Sequence, residues 1–106
     1  MQFDSEIKKY FEQFENLESL AINICGIKSL KNFPNLKNLK ELELVDNKIT
    51  GDQLKELSHL KNLKALFLGG NKIEKIDDFK DLKELEIEHL ELVENPVVNN
   101  NKEYKS

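Results

Sequence analysis

The sequence predicts an α/β protein in which short parallel strands stack side by side into one solenoid. Three observations predict this class: a five-position apolar pattern occurs four times, successive copies begin 22 or 24 residues apart, and no Gly/Ser linker separates them. The length of 106 residues corresponds to one domain. We therefore expect a single repeat domain over residues 1–106.

The pattern is L-x-x-L-x-L-x-x-N-x-L, the signature of leucine-rich repeats. In L-x-L the leucines share one strand face, and stacked strands enclose the apolar interior that one strand cannot bury alone. The predicted fold is a right-handed leucine-rich repeat solenoid with a parallel sheet on its concave side. The segments that lead the chain from one strand back to the next, which we call returns, are predicted to be helical or 3₁₀ and to lie on the convex side. The predicted repeats cover residues 17–38, 39–62, 63–86 and 87–98.

Residues 1–16 predict an amphipathic helix that caps the first strand. Its N-cap is Asp4 or Ser5. A membrane-surface helix has a similar pattern, but Leu17 of the first repeat follows almost at once, which favours a cap. The apolar residues at helical spacing are Phe3, Ile7, Phe11 and Phe14. At the other end, the polar segment 99–106 is expected to leave the last apolar layer uncapped.

The segments between strands carry apolar residues at period three, which predicts short helices or 3₁₀ turns. In the second return, Thr50 or Asp52 is a possible cap for a helix through Leu57. Gly69-Gly70 indicates tight packing or a turn after the third strand. The three apolar sets are Leu30, Phe33 and Leu36, then Leu54, Leu57 and Leu60, then Ile76, Phe79 and Leu82.

An asparagine follows three of the four strands, at Asn47, Asn71 and Asn95. A side-chain amide at this inward turn offers two donors and an acceptor to backbone groups that have no other partner. We interpret these residues as an asparagine ladder. Cys25 occupies the same position in the first repeat and is expected to be a buried ladder residue.

Composition and spacing argue against several functions. The net charge is −4 and all 16 basic residues are lysines, which argues against direct nucleic-acid binding. No apolar run reaches the roughly 20 residues of a membrane helix, and the single cysteine forms no internal disulfide. Neither histidine has a second metal-ligating residue at the spacing of a metal site, and the sequence shows no nucleophile together with a general base that could activate it. We expect no catalysis, no metal and no cofactor.

The outward positions of the predicted strands carry acids and one aromatic residue but no lysine. One-sided charge on a concave surface attracts basic partners. The alternatives are that the acids only keep the sheet soluble and that Phe67 is an exposed aromatic without a role. The predicted partner-binding residues are Glu41, Glu43, Asp46, Phe67, His89, Glu91 and Glu94.

Residues 14–51 and 63–76, with L-E-L-x-D-N-K-I-T-G followed by N-L-x-x-L-x-L-x-G-N-K-I, resemble the acidic leucine-rich nuclear phosphoproteins. That resemblance implies a nuclear and cytoplasmic adaptor that binds histones, acts in chromatin and inhibits a type 2A serine/threonine phosphatase. The family's acidic tail and most of its carboxy-terminal cap are missing here, which suggests a truncated or minimal version.

A second resemblance leaves an alternative open. The N-P-V segment at residues 95–97, followed by Tyr104-Lys105, is similar to the A-prime protein of the spliceosomal U2 particle. That reading implies a spliceosomal scaffold that holds an RNA-binding partner. Under either reading we expect a non-catalytic protein with protein partners, as a monomer.

Overall fold

A computed structural model describes residues 1–100. Its sheet is parallel, and the strands follow one another in chain order, so that each strand pairs with the strand of the next repeat. The strands are β1 Ser19–Ala21, β2 Glu41–Glu43, β3 Ala65–Phe67 and β4 His89–Glu91. The predicted α/β repeat fold, with helical elements between parallel strands, is confirmed.

The strand leucines align across the sheet and form the core, Leu20 opposite Leu42, Leu42 opposite Leu66, and Leu66 opposite Leu90. Leu42 and Leu66 are fully buried, whereas Leu20 and Leu90 of the two outer strands are half-buried. The difference arises because the central strands have a neighbouring repeat on both sides. Each fully buried leucine contributes about 1.5–3 kcal/mol of transfer free energy.

The first helix, α1, runs over Ser5–Glu12 and is shorter than the predicted segment 1–16. Its N-cap is Asp4, whose carboxylate accepts a hydrogen bond from the amide of Ile7 at 2.9 Å. Phe3 precedes the helix and packs edge-on against Phe33, with ring centroids 5.0 Å apart. The placement of Phe14 on the packed helix face was wrong, because the chain leaves the helix before it and Phe14 is exposed.

Two of the three returns contain 3₁₀ helices, η1 Gly51–Leu57 and η2 Ile76–Leu82. The first return forms no helix and has single turns instead, in which the amides of Phe33 and Leu39 donate to the carbonyls of Leu30 and Leu36, the spacing of the predicted 3₁₀ turns. Asn32 adopts a left-handed conformation there (φ 66°), and Pro34 has no N–H and disfavours helical geometry in the residue before it.

Thr50 occupies the N-cap position of η1, and the helix ends at Leu57, as predicted, but the Thr50 side chain makes no capping hydrogen bond. The Thr50 hydroxyl instead donates a hydrogen bond to the Asp52 carboxylate. This hydrogen bond stabilises the ionised carboxylate and is the main reason why the pKa of Asp52 lies below its usual range.

A short helix that the sequence analysis missed, α2, follows the last strand at Pro96–Asn100. Proline is favoured at the first helical position because its missing N–H would have no intrahelical partner there. Most of the predicted polar segment 99–106 lies outside the described residues, so its expected failure to cap the solenoid stays a prediction.

Candidate functional site

The asparagines after the strands connect neighbouring repeats. Asn71 is buried; its side-chain oxygen accepts from the Ile49 amide at 3.0 Å, and its nitrogen donates to the Leu44 carbonyl at 2.9 Å. Asn47 and Asn95 are also buried and bond the preceding repeat in the same way. These positions serve the fold, because their amides are fully used inside it.

Cys25 occupies the ladder position of the first repeat but is exposed, so its placement in the core is wrong. Its amide donates to the Asn47 side chain at 3.0 Å, while its thiol contacts the Asn23 carbonyl of its own turn. The physical reason is the direction of the ladder: each asparagine bonds back to an earlier repeat, and the first repeat has none before it.

A second set of inter-repeat amide bonds lies where the chain approaches the strands. Asn38 donates to the Glu15 carbonyl at 2.7 Å, and Asn62 donates to the Lys37 carbonyl at 2.6 Å. Both side chains are exposed. The leucine-rich repeat pattern does not include either asparagine, and their 24-residue spacing was the available signal.

The face of the sheet directed away from the core is the candidate functional surface, and we call it the open sheet face. On it, residues alternate with the buried strand leucines, and most are exposed or half-buried. It comprises Ser19, Ala21, Asn23, Glu41, Glu43, Val45, Ala65, Phe67, Gly69, His89, Glu91 and Val93.

The two glutamates of β2 are partly held by the first repeat. Glu41 accepts a hydrogen bond from the Ser19 hydroxyl, and Glu43 accepts one from the Asn23 amide, each at 3.2 Å. Glu41 is exposed and Glu43 is half-buried. Each carboxylate keeps lone pairs that can accept bonds from a partner.

Glu91 differs from the other acids because its carboxylate bonds the backbone on both sides. One oxygen accepts from the Gly69 amide at 2.9 Å and the other from the Val93 amide at 3.0 Å. A Cβ at position 69 would lie 2.8 Å from the nearer oxygen, so glycine makes room for this carboxylate. The structure therefore gives Glu91 a positioning role that the sequence pattern did not predict.

Asp46 and Glu94 lie just beyond the ends of β2 and β4, and both are exposed in left-handed conformations (φ 56° and 61°). The Asp46 carboxylate crosses to Gly70 of the next repeat, where a Cβ would collide with it. Gly70 itself has φ 69°, a conformation that suits glycine. The pair Gly69-Gly70 thus combines the predicted tight packing with the predicted turn.

Phe67 stands between the two acidic strands. In the strand register it lies opposite Glu43 of β2 on one side and Glu91 of β4 on the other. Its ring contacts the His89 ring, with centroids 5.1 Å apart and planes tilted by 43°, and it remains half-buried. The structure therefore brings four of the seven predicted binding residues together around this ring: Glu43, Phe67, His89 and Glu91.

The amino-terminal ends of the strands carry both lysines and glutamates. Lys40 and Lys64 directly precede β2 and β3 and line a shallow depression with Glu18 and Glu88. Lys40 pairs with Glu18 at 3.7 Å, and both side chains are largely exposed. Negative charge is therefore concentrated in the middle of the open sheet face and beside Asp46 and Glu94.

Residues 1–100 hold no group of three or more histidine, cysteine or acidic side chains arranged to bind a metal ion. Within the same range, no helix has the length and apolar character to cross a membrane.

Known proteins are similar to this chain in sequence or in fold. A protein of Tetrahymena thermophila, named as a variant Y histone of the H2-A class, is 48% identical over 101 residues, covering 94% of this chain and 26% of that protein. The chain thus spans about a quarter of that relative's length. An internalin from Listeria monocytogenes has a similar fold, with a TM-score of 0.51, 24% identity, and coverage of 85% of this chain and 33% of the internalin. A model of the leucine-rich repeat family matches residues 6–106, and this chain therefore belongs to that family.

Proposed function

We propose that this protein is a non-catalytic interaction module whose open sheet face binds an extended basic segment of another protein. Leucine-rich repeats stack into extended surfaces that suit this task. The observation that carries the proposal is the charge of the face: Glu43 and Glu91 flank Phe67, Glu41 lies on the same strand as Glu43, and none of the positions of this face is a lysine. Such a surface attracts lysine-rich or arginine-rich segments.

Among basic proteins, we propose histones as the partner, in the nucleus and cytoplasm. The resemblance to the acidic leucine-rich nuclear phosphoproteins supports a chromatin role. The similarity to the Tetrahymena protein supports it too, since a domain of this kind is then part of a chain called a histone. Histone tails are basic and extended, which matches the charge and the openness of the face.

Inhibition of a type 2A phosphatase is a further prediction that depends on the family resemblance alone. The spliceosomal scaffold differs from the histone proposal in its partner, because it requires an RNA-binding protein on the same face. The phosphatase and a spliceosomal RNA-binding protein are therefore separate binding partners to be tested beside the histone tail.

The test is binding kinetics of an immobilised histone H3 tail peptide at two salt concentrations. We expect Phe67→Ala to speed dissociation, because a desolvated aromatic anchor is lost. We expect the double variant Glu41→Lys with Glu43→Lys to slow association and to reduce its salt dependence. Glu91 is left unchanged, because its bonds to two backbone amides would confuse a charge effect with a structural one.

The control is Lys61→Glu, which changes an exposed charge in a return segment, away from the open sheet face. If the Phe67 and glutamate variants bind as wild type does at both salt concentrations, the open sheet face is not the site. Tight binding of a spliceosomal RNA-binding partner with no binding of the histone tail would replace the histone proposal.

A further inference from the structure

We infer that the open sheet face selects arginine over lysine at one position, where a guanidinium group lies on Phe67 and bonds the Glu91 carboxylate. This inference rests on the proposed function and specifies the side chain that the site recognises. Three features carry it: the aromatic ring, the fixed carboxylate beside it, and the absence of large side chains along β3.

The outward residues of β3 leave space around the ring. Ala65 precedes Phe67 on the same face and Gly69 follows it, so neither neighbour along the strand covers the ring with a long side chain. His89 packs against one part of the ring, and the rest is partly exposed. A flat group of a ligand therefore has access to Phe67 between the acids of β2 and β4.

The Glu91 carboxylate is held in place before any ligand arrives. Each of its oxygens accepts one backbone hydrogen bond, from Gly69 and from Val93, which fixes the orientation of the group. A carboxylate has about four acceptor sites, so about two remain for a ligand. A group that is already ordered loses less conformational freedom on binding, which favours affinity.

This combination suits arginine better than lysine. A guanidinium is planar, stacks on aromatic faces and donates two parallel hydrogen bonds to a carboxylate from its edge. A lysine ammonium is also attracted to an aromatic face, but it is a compact point charge without a planar fork, so it cannot stack flat on the ring while it donates two parallel hydrogen bonds to the carboxylate. The chain's own basic residues are all lysines, so no arginine of this chain competes for the position.

The experiment compares two peptides of the same basic sequence, one with arginines and one with lysines at every basic position, by calorimetry. If only the guanidinium keeps its contact with the partly exposed ring while it bonds Glu91, the lost cation–π contribution predicts about a twofold to fivefold preference for the arginine peptide. Equal affinity of both peptides for the wild-type protein overturns the arginine site and leaves the proposed function standing. Failure of both peptides to bind overturns the proposed function as well.

Two variants test the mechanism through the affinity ratio of the two peptides. Phe67→Leu keeps an apolar side chain and removes the ring, and Gly69→Ala displaces the Glu91 carboxylate without changing any charge. Both should bring the ratio close to one. Ser58→Ala, an equally small change in a return segment away from the open sheet face, should leave the ratio unchanged. An unchanged ratio in both Phe67→Leu and Gly69→Ala, with unfolding midpoints near that of wild type, would overturn the assignment.

Discussion

Replacement of Asn71 by alanine tests the inter-repeat ladder. The side chain accepts from the Ile49 amide and donates to the carbonyls of Leu44 and Leu68, at 2.8 to 3.0 Å, and it is 6% exposed. Alanine leaves these buried groups without that partner. An unsatisfied buried donor or acceptor costs about 1–3 kcal/mol. Because carbonyls tolerate a lost bond better than an N–H does, we expect a total loss of about 2–4 kcal/mol.

Urea denaturation followed by circular dichroism measures this loss. With a slope of about 2 kcal/mol per molar urea, the expected loss lowers the midpoint by about 1–2 M. The matched control is Asn35→Ala, because Asn35 is exposed and its side chain has no hydrogen bond among the described residues. A surface change of this kind stays within about 0.5 kcal/mol. Asn62 is unsuitable as a control since it bonds the Lys37 carbonyl. Equal midpoints for Asn71→Ala and Asn35→Ala would refute the reasoning.

Three other predictions follow from the described residues. Ile24 is 78% exposed and has φ 56°, which is a strained conformation for a β-branched residue. Ile24→Asn should therefore raise the free energy of unfolding, measured in urea, by about 0.5–1 kcal/mol, and a lowered free energy would contradict this. Because the pKa of Asp52 is lowered in the folded protein, this carboxylate contributes stability at neutral pH that is lost as the pH falls through the folded-state pKa. Thr50→Val removes the hydrogen bond and should raise the pKa of Asp52 in an NMR titration and weaken the dependence of the free energy of unfolding on acid pH. Amide hydrogen exchange should be faster in β4 than in β2 and β3, since its leucine is only half-buried, and uniform protection in a monomeric sample would oppose this.

The sequence predicted the fold because the repeat period determines it. Spacings of 22 and 24 residues place Leu42 and Leu66 in register on neighbouring strands, and no detail of loop conformation is needed for that. The same reasoning placed Cys25 in the core and was wrong. A repeat pattern treats all repeats as equivalent, whereas the first repeat has a neighbour on one side only.

The candidate site was less predictable than the fold. Strand alternation correctly put Glu43, Phe67 and Glu91 side by side on one face. It gave no information on the bonds of Glu91 to the amides of Gly69 and Val93, because these depend on the rotamer of one side chain across two repeats. The glycine at position 69 was the available signal, since its missing Cβ is what admits the carboxylate.

The backward direction of the ladder bonds has a consequence for synthesis of the chain. Asn47 satisfies the backbone of the first repeat, Asn71 that of the second and Asn95 that of the third, so each of these three repeats is completed by a residue 22 or 24 positions after its own ladder position. At about 5–20 residues per second, a ribosome needs roughly 1–5 s to supply that residue. The buried amide groups of a newly synthesised repeat therefore stay unpaired until the next repeat has been synthesised. The repeats are completed one after another, in order from the amino terminus.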